Sequence, residues 1–200
     1  VCNDYYQAFK NYKVTAEVYD LNSKKVWNKS QVIDIPEDGV VNDVFTIDFP
    51  QNITQVHFIK LRLYNEKGKE VANTFYWRSN DKYEGRKTLT GPTSSGFEDL
   101  SKLKQVQLKT TYKAYQEADR HFIKAEIKNT SSTIAFFTQL QLLDQNKKPV
   151  RPSFYTDNFF SLLPGESQTV IIETATADMP SEPLFVVKGW NVKAATYKCK

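Results

Sequence analysis

The chain has 200 residues, 40% of them hydrophobic and 14% aromatic, which is enough for one large or two ordinary cores and excludes global disorder. Its 27 Lys and Arg and 23 Asp and Glu give a formal net charge of +4, spread evenly and without the basic stripe of a nucleic-acid binder. No apolar run approaches the about 20 residues of a membrane-spanning helix, so neither nucleic acid nor membrane is an expected partner.

From about 11 to 78 the chain is a series of short alternating runs. Val14, Ala16 and Val18 alternate with Thr15 and Glu17, and a break follows at 20–23. Val26–Ile35 comes next and ends at Pro36-Glu37-Asp38-Gly39; Phe45, Ile47 and Phe49 then alternate up to Pro50. Ile59, Leu61 and Leu63 precede Asn65-Glu66-Lys67-Gly68, a hairpin turn, with Val71–Trp77 as the returning strand. Repeated period-two runs separated by turn chemistry predict an antiparallel sandwich.

Between 79 and 101 the sequence is rich in Gly, Ser, Thr and Asp and has no sustained period, which predicts a linker over 81–101 with one helical turn near 97–100. Alternation resumes at Val106 and Leu108, then at Ile123, Ala125 and Ile127, at Phe136–Leu142, at Val170 and Ile172, and from Leu184 to Val192. Six or seven strands are expected on each side of the linker, giving domains over 1–80 and 102–200. No helical period competes with them.

Catalytic patterns are missing. There is no Gly-x-Ser-x-Gly elbow, phosphate loop or dinucleotide fingerprint. Asn65-Glu66 superficially resembles an acid/base pair, but its setting is that of a tight turn. With two histidines, His57 on a polar-looking strand face and His121 at a turn, and two cysteines, Cys2 and Cys199, no metal site and no cofactor is expected. The cysteines are either two unpaired thiols or, if the chain ends meet, a single bridge. Trp27, Trp77 and Trp190 read as core or inter-domain packing. Sequons occur at Asn28, Asn52 and Asn129 and carry little weight. A start at Val1-Cys2-Asn3-Asp4, without Met or signal peptide, reads as a piece of a longer product.

The richest segment is 133–173. Its cluster Phe154-Tyr155-Thr156-Asp157-Asn158-Phe159-Phe160 joins rings to an Asp-Asn pair, the equipment of a sugar site, where rings stack on pyranose faces and amides bond hydroxyls. The same residues suit a sandwich core and a turn, and strand alternation sends about half of the rings inward. Tyr155, Asp157, Asn158 and Phe159 are therefore the candidates for a sugar-facing or domain-docking role. No residue is assigned to catalysis.

IAFFTQLQLLD, followed by FYTDNFFSLLPGESQTVIIE, resembles the C-terminal immunoglobulin-like domain of family 2 glycoside hydrolases of the exo-β-D-glucosaminidase and β-mannosidase branch. VCNDYYQAFKNYKVTAEVYDLNSKKVW and VHFIKLRLYNEKGKEVANTFYW resemble the immunoglobulin-like domain that precedes it there. The resemblance implies an all-β chain of two immunoglobulin-like antiparallel β-sandwiches in tandem. It also implies a non-catalytic accessory region, with the catalytic barrel of the same parent chain as partner. A polysaccharide or oligosaccharide is a second expected partner, and the location is periplasmic or extracellular. An independent carbohydrate-binding module and an adhesion-type tandem sandwich are the alternative readings.

Overall fold

In the computed structural model, which describes residues 1–80 and 96–199, most alternating runs of the sequence are strands. They belong to two units, Val1–Lys102 and Leu103–Lys200. Of the expected linker, 81–95 lies outside the described residues, and Glu98–Lys102 forms a 3-10 turn that buries Leu100.

Unit 1 contains β1 (Cys2–Asn3), β2 (Phe9–Asp20), β3 (Lys25–Ile35), β4 (Gly39–Val40), β5 (Val56–Tyr64) and β6 (Glu70–Ser79). One antiparallel four-stranded sheet runs β3-β2-β5-β6, and β1 with β4 makes a two-stranded ribbon. Along β2 the apolar Val14, Ala16 and Val18 are buried on one face, while Lys13, Thr15 and Glu17 take the other. Val14, Ile33 and Ile35 form a core against which Val1, Phe9, Val41, Val44 and Phe45 pack. Burial of each such aliphatic side chain contributes about 1.5–3 kcal/mol. The β5–β6 turn is closed by Asn65. Its Oδ1 accepts the N–H groups of Lys67 and Lys69 at 3.0 and 2.9 Å, and Gly68 takes the positive φ of 74° that the turn demands.

Two expectations are corrected here. Phe45–Phe49 is not a strand. Both edges of β2 are already paired, to β3 and β5, and β5 is paired on both edges as well. The 41–55 segment instead lays its rings over the sheet, Phe45 6.4 Å from Trp27 and Phe49 5.2 Å from His57. His57 is therefore not on a polar face; it is 2% exposed. Its register partners are Asp20 on β2 and Arg78 on β6.

Burial disfavours the imidazolium of His57, and the charge of Arg78 adds to this; the backbone of Thr54 and Gln55 offsets part, and the pKa lies below the ordinary 6.5. Because the folded state binds the proton less well than the unfolded chain, stability is complete above pH 6.5 and falls as the pH drops through the folded pKa. Urea unfolding of unit 1 at pH 7 and pH 5 is expected to show this fall, with a slope of at most about 1.4 kcal/mol per pH unit. His57→Leu should flatten it, and a wild-type stability equal at both pH values would reject the assignment.

Unit 2 contains β7 (Lys109–Glu117), β8 (Arg120–Lys128), β9 (Ala135–Leu143), β10 (Phe154–Tyr155), β11 (Phe160–Leu162), β12 (Ser167–Ala175), β13 (Leu184–Lys188) and β14 (Ala195–Lys198). Its sheets, β10-β12-β8-β7 and β11-β9-β13-β14, are antiparallel throughout. Ile123, Ala125, Ile127, Val170 and Ile172 from the first meet Leu140, Leu142, Phe185 and Val187 from the second in one core. Strand β9 departs from simple alternation. Ala135 and Leu140, an odd number of positions apart, both enter the core, because Phe137 adopts φ 55° and the register against β11 shifts there. A one-residue bulge of this kind swaps the faces of a strand.

Candidate functional site

The ring segment 154–160 spans both sheets of unit 2. Strand β10 pairs with β12, yet the hydroxyl oxygen of Tyr155 accepts the backbone N–H of Leu142 on β9 at 2.9 Å. Burial pushes the Tyr155 phenol up in pKa, with the Leu142 N–H and Ser153 opposing. Asn158 behaves as a substitute strand. Its Oδ1 accepts the Leu140 N–H at 2.9 Å and its Nδ2 donates to the Leu140 carbonyl at 3.0 Å. Tyr155 and Asn158 meet beside a shallow groove of about 160 Å³ with Gln139, Gln141 and Arg151. Asp157 accepts from the Asn158 N–H at 2.7 Å and from Gln168 Nε2 at 2.8 Å. All three polar candidates thus spend hydrogen-bonding capacity on the protein itself.

Phe159 does not. Tyr155 and Phe160 pack on the core, whereas Phe154 and Phe159 are 57% and 49% exposed, so half of the rings point inward but not in strict alternation. Phe159 touches Phe137, ring centroids 5.3 Å apart, and Phe137 lies 5.8 Å from Phe136. Phe137 and Phe159 have φ of 55° and 59°, a left-handed backbone that costs a non-glycine residue about 1–2 kcal/mol. Two such aromatics touch at the surface, so local backbone strain is concentrated there. The backbone N–H of Trp190 donates to the Phe136 carbonyl at 3.0 Å, and the residue is 60% exposed. Gly189 is required beside it, since a Cβ there would stand 3.0 and 3.1 Å from the Phe136 and Phe137 carbonyl oxygens. Core packing is thereby corrected for Trp190, and also for Trp77, which is 41% exposed; Trp27 is half-buried.

Sequence reasoning missed two buried amides. Asn191 donates to the carbonyls of Lys104 and Ile134, each at 2.8 Å, and accepts the Phe136 N–H at 2.8 Å. It holds the start of β9, and with it the ring patch. Asn129, wholly buried, donates to the carbonyls of Thr133 and Leu162 and accepts from the N–H and hydroxyl of Ser131. Its backbone carbonyl takes the N–H of Gly165, whose φ of 86° needs glycine, and this ties the Leu-Pro-Gly-Glu turn to β8. As a sequon it is closed; Asn28 and Asn52 are exposed. Cys2 and Cys199 are free thiols, and burial pushes Cys199 up to about 11.

Unit 1 carries a second concavity on the polar face of its sheet, about 540 Å³, floored by Lys13, Thr15, Glu17 and Arg62 and walled by Asn65 and Glu66 of the turn. Burial pushes Glu17 up in pKa, but hydrogen bonds from Lys25, Arg62 and Tyr19 outweigh it and hold the carboxyl below its ordinary value. Arg62 also lies 3.5 Å from Glu70.

The chain is similar to known proteins in sequence and fold. Residues 88–192 match the exo-beta-D-glucosaminidase Ig-fold domain, and residues 1–83 match the mannosidase Ig/CBM-like domain. The chain is 28% identical to an exo-beta-D-glucosaminidase of Amycolatopsis orientalis over 98% of its own length and 20% of that protein's. It is 29% identical to one from Streptomyces avermitilis, over 92% of this chain and 22% of the relative. It therefore spans about a fifth of the length of the curated relatives it matches. The exo-chitosanase of Amycolatopsis orientalis has the same fold, with a TM-score of 0.87 at 24% identity over 100% of this chain and 25% of that one. A beta-D-mannosidase from Dictyoglomus thermophilum gives 0.55 at 16%, over 94% of this chain and 19% of that one. The expected tandem of immunoglobulin-like sandwiches is what the sheets and these matches show. Since the first match takes in more than half of the chain, the chain belongs to the family of the exo-beta-D-glucosaminidase Ig-fold domain.

Proposed function

We propose that this chain is the accessory portion of a longer exo-β-glucosaminidase-type glycoside hydrolase, supporting a catalytic barrel elsewhere in the same parent. The observation that carries the reading is the tandem of two matched domains set against relatives about five times as long. Phe137, Phe159 and Trp190 form the surface of unit 2 that meets the barrel or borders its cleft for a polysaccharide or oligosaccharide. Clustered, rigid rings suit that task, because aromatic anchors contribute most of the energy of an interface.

In the parent enzyme, Phe159→Ser with Trp190→Ser is expected to lower the unfolding free energy or the transition-state binding by about 2 kcal/mol or more. The same pair should leave the melting temperature of the 200-residue chain nearly unchanged. A parent with unaltered kcat/KM and Tm would reject the docking role. We also place the parent outside the cytoplasm, periplasmic or extracellular, a reading supported by the resemblance to polymer-degrading hydrolases. Recovery of the native enzyme in the cytosolic fraction alone would overturn that placement.

A further inference from the structure

The concavity of unit 1 has a composition that selects among ligand classes. Cross-strand rows order its floor. Ser30 faces Thr15, which faces Arg62, and Asn28 faces Glu17. Asn11, Asn65 and Tyr64 complete the lining together with Glu66, Lys13 and Lys29, and no aliphatic side chain takes part. An apolar ligand would meet only the stems of polar side chains and the Tyr64 ring.

Glu17 and Arg62, on the floor, are settled inside the protein. Glu17 accepts from Lys25 and Arg62, and Arg62 reaches Glu70 as well. An ionic ligand aimed at that pair would have to displace partners that are already made. What stays available is different in kind. The side chains of Lys13, Thr15, Asn28 and Ser30 have no hydrogen-bond partner among the described residues. Amides and hydroxyls both donate and accept, which matches a ligand that is dense in hydroxyl groups. The volume of about 540 Å³ falls within the range of small-ligand sites, and Tyr64 supplies one ring at the rim.

We propose that this groove binds a neutral, hydroxyl-rich saccharide chain through Thr15, Asn28 and Ser30. The site belongs to unit 1 alone and does not depend on the docking of unit 2. Lys13 and Lys29 add two ammonium groups to the lining against the one carboxylate of Glu66, so a chain carrying its own ammonium groups is disfavoured.

Calorimetric titration of the 200-residue chain with cellopentaose, N-acetylchitopentaose and the fully deacetylated pentamer at pH 5 tests this. The two neutral oligomers should bind with a Kd below about 1 mM, and the amine-bearing one at least fivefold more weakly. Asn28→Ala and Thr15→Val, both on the open face of the sheet, should each weaken binding about fivefold to tenfold at unchanged Tm. Absence of binding by both neutral oligomers overturns the proposal, as does preference for the amine-bearing one. Binding that survives both substitutions but is lost in Phe159→Ala, which would move the site to unit 2, overturns it too.

Discussion

Asn191→Ala is expected to destabilise unit 2 by about 3–5 kcal/mol, a large share of the 5–15 kcal/mol typical of a domain. Truncation leaves the carbonyls of Lys104 and Ile134 and the N–H of Phe136 without the amide that serves all three. Each buried polar group so orphaned costs about 1–3 kcal/mol. Asn191→Asp separates this mechanism from simple loss of volume. It keeps the acceptor for Phe136 but turns an oxygen towards two carbonyls, and should be at least as damaging as alanine. Chemical denaturation followed through Trp190 emission reads both. A loss below about 1 kcal/mol for either variant would show that the amide network does not hold the N-terminal segment to β9.

Asn129→Ala is expected to cost about 2–4 kcal/mol for the same reason. The carbonyl of Leu162 lies on β11 and that of Thr133 just before β9, so the substitution loosens the joint between them and the turn at Gly165. Ser131→Ala removes the hydroxyl shared by Asn129 and Thr133 but leaves the Asn129 amide in place, and should cost about 1 kcal/mol. Equal losses from the two substitutions in urea unfolding would mean that the Ser131 hydroxyl, and not the amide, carries the joint.

Much of the fold was legible because alternation and turn chemistry act over a few residues. The run Val14–Val18 and the Asn65–Gly68 turn needed nothing from the rest of the chain. Phe45–Phe49 misled because an alternating run also suits a segment that lays rings across a sheet; pairing is a property of available edges, which a local pattern does not contain. The bulge at Phe137 was invisible for a related reason: nothing about phenylalanine favours a left-handed backbone, and only the fit against β11 and Gly189 imposes it. Of the candidate site, the 154–160 cluster was found but its division of labour was not. Exposure of Phe159 and inward use of Asn158 depend on β9, 18 positions away from Asn158 at Leu140. Asn191 gave no signal at all, since a solitary asparagine has no period and its partner Lys104 is 87 positions distant.

The closure of β9 by side chains has its own consequence. Leu140 and Leu142 would otherwise offer free backbone groups to any extended segment that came alongside, and sheet borders of that sort are where proteins polymerise. Asn158, Tyr155 and the backbone N–H of Val150 occupy those groups from within the same unit. Self-assembly through this border is foreclosed without spending another strand on it.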